Sequence, residues 1–147
     1  MHIPVLQKEV IRHLDPKQNE NFIDCTLGYG GHALAILEMT GPAGKVMGID
    51  RDPEMIENFM KRKETKIFKN RTVLVNDSFA NLKEIVEKSN FKKISGILLD
   101  LGMSSWHVDK SGKGFSFLKN EPLDMRYDSL HPLTAEKILN YWSQPEI

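Results

Sequence analysis

Apolar residues in this chain follow two rhythms, one of helical spacing and one of short unbroken runs. Val5, Leu6, Val10, Ile11 and Leu14 recur three and four apart, which predicts a helix that Asp15-Pro16 stops. A compact apolar run predicts a first strand at residues 22–26, and residues 31–39 predict a second helix. Thr40-Gly-Pro-Ala-Gly44 reads as a turn, and residues 45–50 as a second strand. Asp52-Pro53-Glu54 marks a helix start, with Asp52 as cap and Pro53 at the first helical position. A third strand is predicted at Thr72–Asn76, followed by a helix through about Lys88. The fourth strand, Ile94–Asp100, is the most apolar.

Strands alternating with helices predict an α/β, Rossmann-like fold with a parallel sheet of about four strands and right-handed crossovers. Near-continuous apolar runs in the second and fourth strands fit burial on both faces. After Asp100 the alternation ends. Residues 101–133 are rich in glycine, serine, proline and charge, and a short helix capped by Thr134 is predicted at about 134–142. So long a loop implies a function of its own or an excursion into another subdomain. A four-stranded doubly wound sheet would leave the most apolar strand at an edge, where such a strand is poorly placed. The chain is therefore expected to be part of a longer protein.

Composition narrows the possibilities. At 147 residues and 40% apolar content the chain can bury a core. Its 20 basic and 20 acidic side chains cancel, so a nucleic acid would have to be held by a local patch. Such a patch is available at Lys61, Arg62, Lys63, Lys66, Lys69 and Arg71, which otherwise reads as a solvated helix end. A single cysteine, Cys25, excludes an internal disulfide and a cysteine-rich zinc site and fits a reducing cytosol. Its place inside the first strand reads as a small core residue. No run approaches the ~18 apolar residues of a membrane helix. Met1–Leu6 lacks the charged and apolar regions of a signal peptide. His2, His13, His32, His107 and His131 show no metal-ligand spacing, so no metal is expected.

The chemistry concentrates at Asp24-Cys-Thr-Leu-Gly-Tyr-Gly-Gly-His32, between the first strand and the second helix. Glycines let a ligand approach bare backbone, and the following helix offers unpaired N–H groups. Asp50, at the tip of the second strand, can accept both hydroxyls of a ribose. Gly28-x-Gly30-x-x-Ala33 satisfies a dinucleotide pattern. Asp24 at the end of the first strand, however, suits the cationic sulfonium and amino group of S-adenosylmethionine better than a pyrophosphate. Asp77 and Asp100 also follow strands, and four acids at the same sheet end describe a crevice. Beyond it, Asp100-Leu-Gly-Met-Ser-Ser-Trp-His107 joins a carboxylate and hydroxyls to a flat apolar ring, which suits an extruded base amine. Ser104 and Ser105 read equally well as turn residues.

Several longer motifs occur in order: His2-Ile-Pro-Val-Leu6, Asp24–His32, Gly48-Ile-Asp-Arg-Asp-Pro53, Gly96-Ile-Leu-Leu-Asp-Leu-Gly102, Gly114-Phe-Ser-Phe117 and Pro122-Leu-Asp-Met-Arg126. In these the chain closely resembles the MraW-type (RsmH) methyltransferases of bacteria. The resemblance implies an S-adenosylmethionine-dependent enzyme of the cytoplasm that methylates the exocyclic N4 amine of a cytosine in the decoding centre of 16S ribosomal RNA, within the small subunit. It implies donor contacts from Gly30, Gly31 and His32, which join the Gly28 and Asp24 that the loop itself points to. It further implies that Asp50 holds the ribose, Phe79 lies on the adenine side, and Asp100 sits by the reacting region, where the residue reading adds Ser104 and Ser105 as catalytic candidates. His107 stands where the family usually carries a glutamine preceded by proline, as a further donor contact. Family members are about twice as long, with a helical insertion after the fourth strand. The implied division is a donor-binding Rossmann-like part over 1–105 and the beginning of a substrate-recognising insertion over 106–147. Two other readings remain open: a nicotinamide-dependent oxidoreductase, and a non-catalytic nucleoside- or RNA-binding remnant.

Overall fold

The structure, a computed structural model, describes residues 4–147. His2 and Ile3 of the first motif lie outside the described residues. The chain divides into two compact units, one ending at Leu101 and the other running Gly102–Ile147.

The first unit contains α1 (Gln7–Leu14), β1 (Asn21–Asp24), α2 (Gly31–Met39), β2 (Val46–Asp50), α3 (Pro53–Lys61), a 3-10 segment (Glu64–Arg71), β3 (Thr72–Asn76), a 3-10 turn (Phe79–Asn81), α4 (Leu82–Ser89) and β4 (Ile94–Leu98). The four strands are all parallel, in the order β3-β2-β1-β4. Alternating side chains of β1 and β2 feed two cores. Phe22 and Val46 pack with Ala33, Ile36 and Leu37 of α2 and Phe59 of α3. Ile23, Met47 and Ile49 pack on the opposite face with Ile85 of α4 and Phe91. Both central strands are thus buried on both sides, as the apolar run of β2 predicted. β4, expected to be buried likewise, alternates between partly buried and exposed positions because it lies at the edge of the sheet.

Strand ends are set by the acids. Asp24 Oδ1 accepts the N–H of Thr26 at 3.1 Å, and Asp50 Oδ1 accepts that of Asp52 at 2.9 Å. These bonds turn the chain two residues on and stop each strand. Asp52, fully buried, caps α3 by accepting the Glu54 N–H at 2.9 Å, with Pro53 at the helix start. The first strand therefore stops at Asp24 rather than residue 26. β4 stops at Leu98 rather than Asp100, because its register partner is Asp24.

The basic cluster departs from a solvated helix end. Arg71 donates to the carbonyls of Leu37 (2.7 Å) and Gly44 (2.9 Å), and its guanidinium lies 5.0 Å from the Phe68 ring centroid. Arg62 donates to the Tyr29 carbonyl at 2.6 Å. Two of the six cations are therefore internal struts.

The second unit holds α5 (Ser105–Asp109), which lies in the stretch expected to be loop, then α6 (Ala135–Tyr141) and a final 3-10 turn (Gln144–Glu146). Thr134 caps α6 by accepting the Lys137 N–H at 3.2 Å, as its position predicted. Asp124 and Arg126 form a two-armed ion pair (2.6 and 2.8 Å), and Arg126 also donates to the carbonyls of Ser129 (2.9 Å) and His131 (2.6 Å). Asp124's own carbonyl receives the Ala135 N–H, at 2.9 Å. The Pro122–Arg126 motif thus ties loop to helix. Among the described residues no helix is long and apolar enough to cross a membrane.

Candidate functional site

The carboxyl end of the sheet gathers the loop Cys25–Gly30, the start of α2 and the strand-end acids. Gly28 and Gly30 both have positive φ, +50° and +74°. Their surroundings differ. A Cβ on Gly30 would sit 2.1 Å from the buried Phe59 ring, and one on Gly31 would sit 2.1 Å from Pro4. A Cβ on Gly28 would meet nothing nearer than the Thr26 carbonyl at 3.9 Å. The protein's own side chains, not open space, therefore require glycine at 30 and 31, and the open position is Gly28. Arg62 and Gln7 (Nε2 to the Gly31 carbonyl, 3.1 Å) brace the same loop from behind. Sequence reasoning missed Phe59, Arg62 and Gln7 as supports, because nothing in their spacing points to the loop.

Asp50 joins loop and sheet: its Oδ2 accepts the Gly28 N–H at 2.7 Å while Oδ1 holds the Asp52 N–H. Asp24 is 1% exposed, and its Oδ2 has no hydrogen-bond partner. Burial, with smaller repulsion from Asp50 and Asp100, pushes its carboxyl up to about 7, against the lowering effect of the Thr26 N–H. Asp100 is half exposed, and its N–H donates to Thr26 Oγ1 at 2.8 Å. His32 is 6% exposed, with neither ring nitrogen hydrogen-bonded. Its Nε2 stands 3.4 Å from Asp100 Oδ2, within ion-pair reach but out of hydrogen-bond alignment. Buried polar atoms without partners are uncommon. Asp24 Oδ2 and both His32 ring nitrogens are three such atoms, on the residues that precede and follow the glycine loop, and a polar ligand there would satisfy them.

Of the other expected site residues, Phe79 opens a 3-10 turn capped by Ser78 and is 43% exposed. Asp77 is committed to that turn: its Oδ1 accepts the Ser78 N–H (2.6 Å) and the Asn81 amide (2.8 Å). The four strand-end acids are therefore three plus a cap. Cys25 is 2% exposed, and burial pushes its thiol up to about 11, so it is an inert core residue. Ser104, Ser105 and His107 belong to the second unit. His107 departs from the expected ligand-facing group: it is 3% exposed, packed edge-on against Trp106, Phe115 and Tyr127 with centroids 4.7–5.4 Å apart. Its Nδ1 is 2.8 Å from Ser104 Oγ, so the Ser104 hydroxyl is engaged with this ring. Among the described residues no group of three or more potential ligands is placed to hold a metal ion.

The model of the MraW methylase family matches residues 1–147. The chain belongs to that family. Two relatives, each named ribosomal RNA small subunit methyltransferase H, illustrate the match. That of Dehalococcoides mccartyi is 43% identical over 99% of this chain and 41% of its own length. That of Halothermothrix orenii is 46% identical over 99% of this chain and 46% of its own. The chain thus spans less than half the length of these curated relatives. An rRNA methylase from Streptococcus thermophilus superimposes with a TM-score of 0.54 at 17% identity, over 69% of this chain and 57% of that one. The C-terminal domain of a precorrin-6Y C5,15-methyltransferase from Rhodobacter capsulatus gives 0.52 at 17%, over 68% and 50%. These likenesses establish the Rossmann-like fold of the sheet.

Proposed function

We propose that this chain carries the donor-binding part of an S-adenosylmethionine-dependent methyltransferase acting on small-subunit ribosomal RNA. The observation that carries the reading is Asp24. A buried carboxyl with an unpartnered oxygen is a poor neighbour for a pyrophosphate and a good one for a cation. This favours the sulfonium donor over a nicotinamide dinucleotide, although Gly28-x-Gly30-x-x-Ala33 is common to both. Family membership supports the same choice.

Bound S-adenosylmethionine would supply an electrophilic methyl group. The chain's residues supply position. Asp50 holds the Gly28 amide, and carboxylate oxygens accept more than one hydrogen bond, so ribose hydroxyls can join it. Gly28 presents bare backbone to the donor, Gly30 and Gly31 shape the loop by making room for Phe59 and Pro4, and His32 follows at the start of α2. Phe79 offers an exposed ring face to the adenine. Asp100, half exposed two residues beyond β4, is placed to accept a hydrogen bond from an attacking amine, so that the lone pair points at carbon. The finer assignment, N4 of a decoding-centre cytosine in 16S RNA in the cytoplasm, goes beyond the relatives' names and rests on the resemblance in the motifs. Residues 106–147 would then begin the segment that recognises RNA.

Calorimetric titration with S-adenosylmethionine and with NADH separates the readings. Saturable binding of the methyl donor is expected, and Asp50→Ala should weaken it by about 1.5–3 kcal/mol, the scale for hydrogen bonds involving a charged group. Saturable binding of NADH alone would overturn the proposal. Nucleoside analysis of whatever radiolabelled methyl is transferred to unmodified small subunits, by this chain or by a full-length relative run beside it, identifies the base and atom.

A further inference from the structure

We infer that the Thr26 hydroxyl is a positioning group of the donor site, fastening Asp100 to Asp24 so that the carboxylates at the ends of β4 and β1 are held as one unit. The inference rests on the donor-binding reading above, and its structural half can be tested without any donor.

The β1–β4 ladder ends where the Cys25 N–H meets the Leu98 carbonyl at 2.9 Å. Asp100 lies two residues beyond, outside the strand, and its N–H is taken by Thr26 Oγ1 at 2.8 Å. Among the described residues of the first unit the carboxylate has no comparable anchor, since His32 Nε2 at 3.4 Å is out of alignment. A hydroxyl carries one proton. With Oγ1 accepting from Asp100, that proton is left to donate to Asp24 Oδ1, 3.5 Å away. The same oxygen accepts the Thr26 N–H at 3.1 Å, the stronger of the two arms. Donation therefore runs one way, from the Asp100 amide to the Thr26 hydroxyl to the Asp24 carboxyl. Asp24 Oδ1 can accept in either protonation state, provided the proton sits on Oδ2.

The residue type is specific to this task. Valine matches threonine in shape but can neither accept the Asp100 N–H nor donate to Asp24. Serine keeps both capacities and loses only a methyl. The charged and titratable neighbours of Asp24 are Asp50 from β2, Asp100 beyond β4 and Cys25 along its own strand, with His32 of α2 beside Asp100. Each acid raises the Asp24 titration and the Thr26 hydroxyl lowers it, so removing the hydroxyl moves the midpoint up.

The test uses Thr26→Val and Thr26→Ser, with Thr26→Ala in place of valine if that variant does not fold. Without ligand, amide exchange at Asp100 and the carboxyl 13C titration of Asp24 are followed by NMR. Loss of the hydroxyl should speed Asp100 exchange by about tenfold, the scale of one hydrogen bond, and raise the Asp24 midpoint. Serine should restore both. Calorimetry with S-adenosylmethionine at pH 6 and pH 8 should then show about tenfold weaker binding without the hydroxyl and recovery with serine. Unchanged exchange and midpoint in a folded valine variant would overturn the inference, as would serine behaving like valine. So would unchanged donor affinity in a variant whose Asp100 has been loosened. If the wild-type chain binds no donor, the donor reading fails, while the ligand-free measurements still decide whether the hydroxyl joins the two acids.

Discussion

At the scale of single residues, the acids after the strands combine two uses of one side chain. Asp24 and Asp50 each accept an N–H two residues on and so end their strands, and both remain at the open end of the sheet. For Asp24 the second use opposes stability. Its folded-state value of about 7 lies above the ordinary 3.8. Between those values the native state holds a proton that the unfolded chain has released. Its contribution is therefore full below about pH 4 and is lost as pH rises to about 7, at roughly 1.4 kcal/mol per pH unit. Asp24→Asn should remove that loss, leaving the variant more stable than wild type at pH 8 by on the order of 3 kcal/mol, while weakening donor binding. Urea unfolding at pH 5 and pH 8 checks this; equal losses in both proteins would show that Asp24 does not titrate in that window. The acids were legible in the sequence because each follows an apolar run. Asp77's withdrawal into a turn was not, since Asp77 and Asp50 look alike until their hydrogen bonds are known.

At the scale of elements, the glycine loop shows what a motif conceals. Glycines in such a loop are expected to bare the backbone for a ligand. Here that is true of Gly28, whereas the absent side chains of Gly30 and Gly31 make room for Phe59 and Pro4. Gly30→Ala should therefore destabilise the fold by about 2–4 kcal/mol, combining a left-handed dihedral with overpacking. Gly28→Ala carries the dihedral strain alone, about 1 kcal/mol, and its larger effect should be on donor affinity. Thermal unfolding and calorimetry on the pair separate these outcomes; equal melting temperatures would sink the distinction. A parallel case is Gly114, with φ +80° and a would-be Cβ 2.3 Å from the Pro122 carbonyl. There, and in the Asp124–Arg126 pair, the motifs that mark the family most specifically build the second unit. The Arg126 hydrogen bond foremost holds the Asp124 carboxyl below its ordinary range. Asp124→Asn should lower the stability of that unit by about 1–3 kcal/mol near neutral pH, and progressively less as acid protonates the native carboxyl. A pH-independent difference in local amide protection would contradict this. Helix and strand spans were readable from periodicity and caps to within two residues. α5 was not, because five residues amid serine, glycine and charge present no helical stripe.

At the scale of the whole molecule, the strand order carries the most consequence. β4 pairs with β1 on one side and, among the described residues, with no strand on the other. Ile97 is 44% exposed, with Leu99 (47%) and Leu101 (68%) beyond it. The sequence foretold this conflict between an apolar strand and an edge position, since chain order and alternation suffice to derive it. It could not show how the edge is covered. Natural edges are blunted by charge, proline or a bulge on the strand, and Ile94–Leu98 carries no charge and no proline. Its register irregularity falls on the β1 side, at Asn21/Phe22. The unpaired amides are thus open to another strand, and the nearest supply in a concentrated solution is a second copy. Self-association should accordingly rise with concentration, and Ile97→Lys should suppress it with little effect on stability, because a half-exposed edge side chain gives up little burial. Light scattering and sedimentation across a concentration series measure this directly. A wild-type chain that stays monomeric throughout would show that the edge is protected in solution. If Ile97→Lys self-associates like wild type, the contact lies elsewhere, and Leu101 and the 96% exposed Phe117 are the next side chains to change. The same edge bears on catalysis, since Asp100 continues from β4. Its setting then depends on Thr26 and on whatever strand completes the sheet. Without such a strand, the amine and methyl should not be held in line to the ~1 Å that transfer requires. Calorimetry should therefore register donor binding while the radiolabel assay shows no appreciable turnover, and turnover within about tenfold of a full-length relative would show that the β4 edge needs no further strand.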